Sequence, residues 1–162
     1  MVFRLLKINT DGAFSENFHN GGWGYVIRNE DGEPQAADAG PLNNVSEAIQ
    51  ADAVAIIEAI YRANDLGCNR AIFETDAQAV KQALISDVHD KSKFGVLFEE
   101  AKTLLRLSFD DVRVQWCNRK CNSVAHALAS FGAGLKSSSQ MHWLYDFPDF
   151  VTVKVVGDMP HR

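Results

Sequence analysis

Residues 3–40, FRLLKINTDGAFSENFHNGGWGYVIRNEDGEPQAADAG, decide the fold. Phe3 to Asn9 alternates and is rich in apolar residues, the pattern of a half-buried strand. Gly21 to Gly40 carries two more strands around the turn NEDGE, so three antiparallel strands open the chain. Beyond them the period changes. From Ser46 to Leu66 apolar residues recur at Ile49, Ala53, Ile56, Ile57, Ile60 and Ala63, which predicts a helix with Ser46 as N-cap and Gly67 as stop. RAIFETD, residues 70–76, reads as a short buried strand ending at an acid, and AQAVKQALISDV, residues 77–88, as the helix returning from it. A third helix from Phe94 to Leu107, a strand in DVRVQWCN, residues 111–118, and a last helix from Asn122 to Phe131 complete the series. The order βββαβααβα predicts an α/β fold: a mixed five-stranded sheet, three antiparallel strands first, flanked by helices.

The body is expected to span residues 1–135. Residues 136–162 form an aromatic extension with Trp143, Tyr145, Phe147 and Phe150 and the strand-like FVTVKVV, packed on the domain or on a protein partner. A chain of 162 residues that is 46% hydrophobic and 23% charged suits one globular domain. A net charge of -5 excludes indiscriminate coating of nucleic acid, because that affinity comes from Lys and Arg, but it leaves room for a local basic strip. No apolar run reaches the length of a membrane span, and MVFRLLKINTDG turns polar too soon for a secretory signal. An intracellular protein is expected, cytoplasmic or nuclear, with neither a basic localisation run nor an Arg-rich transit segment to choose between them. Three cysteines, Cys68, Cys117 and Cys121, suit reduced thiols better than a disulfide framework. Cys117 and Cys121 lack a second Cys or His pair at finger-like spacing.

Three acids fall where this topology would gather them. Asp11 follows the first strand, Asp52 lies in the first turns of the long helix, and Asp76 closes the fourth strand, at the kind of strand end where open sheets bind ligands. Clustered carboxylates repel one another unless a cation is present, and two divalent ions held by such a cluster can activate a water and neutralise a leaving oxygen in phosphodiester cleavage. Each acid also has a plainer role open to it. Asp11 precedes Gly12 as a turn residue would, Asp76 could cap the helix starting at Ala77, and Asp52 favours the dipole of its helix.

The blocks NTDGAFSENFHNGGWGYVIRNEDG (9–32), ADAVAIIEAIYRANDLG (51–67), FETDAQAV (73–80) and CNSVAHALA (121–129) resemble, in order and spacing, those of the plant reverse-transcriptase-type RNase H-like family. The resemblance covers about residues 7–133, and WLYDFPDF is similar to the Pro-containing end of family members. It implies the ribonuclease H-like fold and a metal-dependent nuclease cutting the RNA strand of RNA/DNA hybrids with Mg2+ or Mn2+. The alternative is a degenerate domain of retroelement type that binds nucleic acid or protein without cutting. On this resemblance Asp11, Asp52 and Asp76 are the metal ligands and catalytic residues, joined by His126. Two positions depart from the family. Asp52 stands for a Glu and loses a methylene of reach, which matters because magnesium tolerates little distortion. His126 stands for a fourth Asp, and imidazole suits manganese or zinc better than magnesium. Glu47 lies about 140 degrees around the helix from Asp52 and cannot replace it, and Glu58 is also off that face.

Substrate contacts are expected from Gly12, Arg119, Lys120 and Asn122. Gly12 and the GGWG run would admit a nucleic-acid strand close to the backbone, or else serve tight turns. Arg119 and Lys120 would meet phosphate, or else solvent. His126 lies off the apolar face of Val124, Leu128 and Phe131 and is expected partly exposed, whereas Trp23 and Trp116 read as core or sheet-face packing.

Overall fold

Alternation along the first strand sorts its side chains in the computed structural model, which describes residues 5–87, 93–136 and 139–158: Leu6 and Ile8 enter the main core while Asn9 and Asp11 turn to the opposite face. This strand, β1 (Leu5–Ser15), runs into an antiparallel meander with β2 (Asn20–Arg28) and β3 (Pro34–Leu42). α1 (Ala48–Asp65) crosses the sheet, and β4 (Arg70–Thr75) returns parallel to β1 on its other side. α2 (Gln78–Ile85) and α3 (Gly95–Ser108) lead to β5 (Asp111–Trp116), parallel to β4. A short 3-10 turn (Arg119–Cys121), α4 (Ser123–Ala133), β6 (Met141–Leu144) and α5 (Asp149–Asp158) follow. The strand order is β5-β4-β1-β2-β3-β6, so the expected mixed sheet with three antiparallel strands first is present, with six strands in place of five.

The sixth strand and the last helix correct the reading of the tail. β6 pairs antiparallel with β3 and becomes a sheet edge. Residues Phe150 to Val155 of the expected strand FVTVKVV form a helix instead: Val151 and Thr152 both donate backbone bonds to Pro148 O, at 3.0 and 3.2 Å. Spacing explains this. Val151 and Val155, four apart, are buried together while Val153 is 72% exposed, which is a helical face and not a strand's alternation. The two valines join Val26, Ala37, Ala39, Val124 and Leu128 in a second core, against which Trp143, Phe147 and Phe150 pack.

The main core lies under α1, where Ala53, Ile56, Ile57, Ile60 and Ala63 meet Leu6, Ile8, Trp23 and Phe73. Each buried isoleucine there contributes roughly 1.5–3 kcal/mol. α1 stops at Gly67, whose φ of 73° is open to glycine, with Cys68 N–H donating back to Ala63 O. Its start departs from expectation: the flanking residue is Glu47 without a side-chain cap, and Ser46 contributes its backbone N–H, which donates to Gln50 Oε1 at 3.1 Å. Phe3, Arg4 and Val88, read as parts of elements, lie outside the described residues.

Candidate active site

Strand register brings the first two acids together. Asn9 on β1 pairs with Glu74 on β4, so Asp11 and Asp76, each two residues further on, reach the same end of two adjacent parallel strands. Asp11 does not follow the strand as expected. β1 continues through it to Ser15, and it pairs with Gly24, because Gly12 and Ala13 keep the ladder with β2 intact.

Asp52 arrives from the other side of the sheet, in the second turn of α1. Its approach depends on Gly12: a Cβ there would stand 2.5 Å from both Ala51 C and Asp52 N. The strand and helix therefore touch backbone to backbone, and Gly12 N–H donates to Asp52 Oδ1 at 2.8 Å. The missing side chain at Gly12 serves α1, and in GGWG those at Gly22 and Gly24 serve α4 in the same way. The close backbone approach expected at these glycines is thus made by the chain's own helices.

His126, on the second core's side, comes from the first turn of α4 and places Nδ1 3.0 Å from Asp11 Oδ2. Its side chain is half exposed, as the helix face required. Glu58 takes no part, and its surroundings are Asp38 and His142.

The charge of Asp76 acts on Asp11, and the charges of both act on Asp52. Burial raises the Asp11 pKa most, followed by the charge of Asp76, while the His126 hydrogen bond, the His126 charge and the Gly12 amide pull it back. Burial likewise pushes Asp52 up to about 8; the charge of Asp11 and then Asp76 add to the rise, and the Gly12 bond opposes it. Asp76 is paired with Arg119, Nε to Oδ2 at 3.6 Å, and its backbone carbonyl accepts from Trp116 Nε1 at 3.1 Å. Asp76 does not cap α2, whose flanking residue is Ala77; the Ala77 N–H donates to Thr75 Oγ1 instead.

Asn122 is where the structure departs most from expectation. It is 0% exposed and cannot meet a substrate. Its Nδ2 donates to Thr10 O at 3.1 Å, and its Oδ1 accepts from Asn9 Nδ2 at 3.0 Å. Asn9 also donates to Glu74 Oε1 at 3.1 Å and accepts from Arg28 Nη2 at 2.6 Å, so β1, β2, β4 and the start of α4 are tied by one buried network. Only Glu74, the first acid in FETD, hinted at it, since polar residues buried in pairs leave no periodic trace. Arg119 at 79% exposure and Lys120, also exposed, remain accessible on the 3-10 turn held by Asn118, whose Oδ1 accepts from Lys120 N–H at 2.9 Å. Trp23 is buried and stacks on Tyr25 at 5.8 Å, as expected of core packing, but Trp116 is 44% exposed. The three cysteines are free thiols.

The donor chemistry fits a hard divalent cation, being carboxylate oxygen, and the charges that add to burial, Asp76 on Asp11 and both of these on Asp52, are the repulsion such a cation would relieve. The ligands are not gathered in advance: among the described residues no three His, Cys, Asp or Glu groups are placed to hold one ion.

A family model described as reverse transcriptase-like matches residues 9–132. No curated protein sequence matches the chain. Among solved structures, the chain is similar to the N-terminal RNase H domain of a Mycobacterium tuberculosis protein, at 21% identity and TM-score 0.74, over 80% of this chain and 94% of that one. It is similar to RNase H1 of the halophilic archaeon Halobacterium salinarum, at 26% identity and TM-score 0.67, over 79% of this chain and 96% of that one. A third likeness is to LC11-RNase H1 in complex with an RNA/DNA hybrid, at 16% identity and TM-score 0.68, over 79% and 96% of the two chains.

Proposed function

Since the chain belongs to the reverse transcriptase-like family and has the ribonuclease H-like fold, we propose that it is a metal-dependent endonuclease cutting the RNA strand of RNA/DNA hybrids. The observation that carries the reading is that Asp11 and Asp76 stand at the same end of β1 and β4, with the charges of both acting on Asp52 of α1. The complex of LC11-RNase H1 with a hybrid supports the choice of substrate.

Asp11, Asp52 and Asp76 would hold Mg2+ or Mn2+, which when bound supplies an activated water and charge neutralisation at the leaving oxygen. Around them the chain's own groups divide the work. Asp11 engages His126 Nδ1, which fixes the ring and leaves Nε2 to exchange a proton with water or the departing ribose oxygen. Gly12 N–H holds one oxygen of Asp52, so the carboxyl cannot rotate freely. Arg119 and Lys120 offer phosphate contacts beside Asp76. With so few cations the binding should be weakly salt-dependent, since the slope follows the number of phosphates neutralised. Hybrid would be selected by its 2′-hydroxyls and groove shape, without reading bases.

The test is incubation with end-labelled RNA/DNA hybrid, RNA duplex and single-stranded RNA, in magnesium and in manganese. Cleavage confined to the hybrid's RNA strand is expected. Equal cutting of all three, or of none by folded protein, contradicts the reading.

A second reading, a hybrid-binding domain that does not cut, is favoured by Asp52. Its carboxyl is tied to Gly12, and without metal its burial, together with the charges of Asp11 and Asp76, disfavours ionisation. Hybrid binding without cleavage in either metal would select it.

A further inference from the structure

Trp116 is the last residue of β5 and pairs in register with Thr75, one residue before Asp76. β5 is an edge strand with none of its residues fully buried, and its terminal indole is 44% exposed. Its polar edge is already satisfied, because Nε1–H donates to the Asp76 carbonyl at 3.1 Å. That bond fixes the indole against the acid while leaving ring surface to solvent, and among the described residues no other ring packs on it. Beside it Arg119, 79% exposed, reaches Asp76 at 3.6 Å, and Lys120 follows. A fixed, solvent-facing ring and an accessible guanidinium held on the same acid, with Lys120 next in sequence, form the pairing that nucleic-acid surfaces use: the ring takes a base or sugar face, and the cation takes a phosphate.

We infer that Trp116 is a substrate-contacting residue of this site, a platform on which one nucleotide of the bound hybrid stacks next to Asp76. The identity of the ligand rests on the nuclease reading; the contact itself does not require cleavage. The contact is tolerant of sequence, since every base presents a π face, and so adds affinity without base preference. It also suits an acidic chain, because stacking needs no net positive charge.

The experiment is titration of hybrid into the protein with Ca2+ in place of Mg2+, following tryptophan emission, together with steady-state cleavage in Mg2+. Trp23 is buried and Trp143 sits on β6, at the opposite edge of the sheet from β5, so emission changes on binding report Trp116. Quenching is expected in the wild type and is lost in Trp116→Phe. Trp116→Ala should raise Kd and KM about tenfold, the size of one stacked base, with kcat at saturation unchanged. Trp116→Phe, which keeps a ring but loses the bond to Asp76, should stay within about threefold of wild-type affinity. That rescue separates stacking from a role in merely holding Asp76. Quenching without cleavage would sink the nuclease reading and leave the platform standing. An unquenched wild type that binds hybrid, or a folded Trp116→Ala of unchanged affinity, would overturn the platform whether or not hybrid is cut. Should Trp116→Ala fail to fold, the quench and the Trp116→Phe affinity still decide.

Discussion

The backbone amide of Gly12 donates to Asp52 Oδ1 at 2.8 Å, joining the first strand to the long helix through a carboxyl that belongs to the candidate active site. The bond holds Asp52 where burial and the charges of Asp11 and Asp76 disfavour its ionisation.

Stability should therefore fall as pH rises. Asp52 keeps its proton in the folded chain up to about 8, whereas in the unfolded chain it ionises near 4. Between those values the folded state binds the extra proton, so raising the pH favours unfolding until the slope ends near 8. Asp11, also raised, acts in the same direction. Thermal melts without divalent metal should give a lower Tm at pH 8 than at pH 5, and Asp52→Asn should shrink the difference. Equal slopes in the two proteins would count against the assigned surroundings of Asp52.

Gly12→Ala should cost about 1–3 kcal/mol or more, the range for overpacking, because the new Cβ would meet the backbone of Ala51 and Asp52 at 2.5 Å and backbone cannot swing aside. Urea unfolding measures it. A variant as stable as the wild type would mean that α1 does not approach β1 so closely.

Asn122→Ala removes the partner of Asn9 Nδ2 and of Thr10 O in a fully buried setting. A loss of about 1–3 kcal/mol is expected for the groups left unsatisfied. Because α4 also carries His126, the same variant should lower kcat more than it raises KM, in contrast to a residue that contacts substrate. A rise in KM alone would return Asn122 to the substrate surface.

Much of this architecture was legible in the sequence because burial on one face writes a period into it. Ile56, Ile57 and Ile60 gave α1, the Gly67 stop was right, and Asp76 stood at the end of its strand. Errors came where period and meaning part. Val151, Val153 and Val155 fit a strand as well as a helix, and only docking of the first and last on the second core decides between them. Asp38, 1% exposed between two buried alanines, is fixed by Tyr25 Oη, Arg62 and His142 from three other elements, a gathering that no local pattern announces. Asn122 misled for the same reason: position beside Arg119 and Lys120 suggested a surface role, but its partners on β1 lie more than a hundred residues earlier. Asp11 and Asp76 could be read as neighbours because strand ends are topological, whereas the Asp11–His126 contact needed the packing of α4 to become visible.

Asp11 and Asp76 are proposed to serve one catalytic site. Cleavage of an end-labelled RNA/DNA hybrid in magnesium and in manganese, by wild type and by Asp11→Asn and Asp76→Asn, tests it most directly. Cutting of the RNA strand by wild type and its loss in both variants are expected, with each variant still folded. Cleavage that survives either substitution would place the chemistry elsewhere, and folded wild type that cuts in neither metal would leave the site without the activity assigned to it.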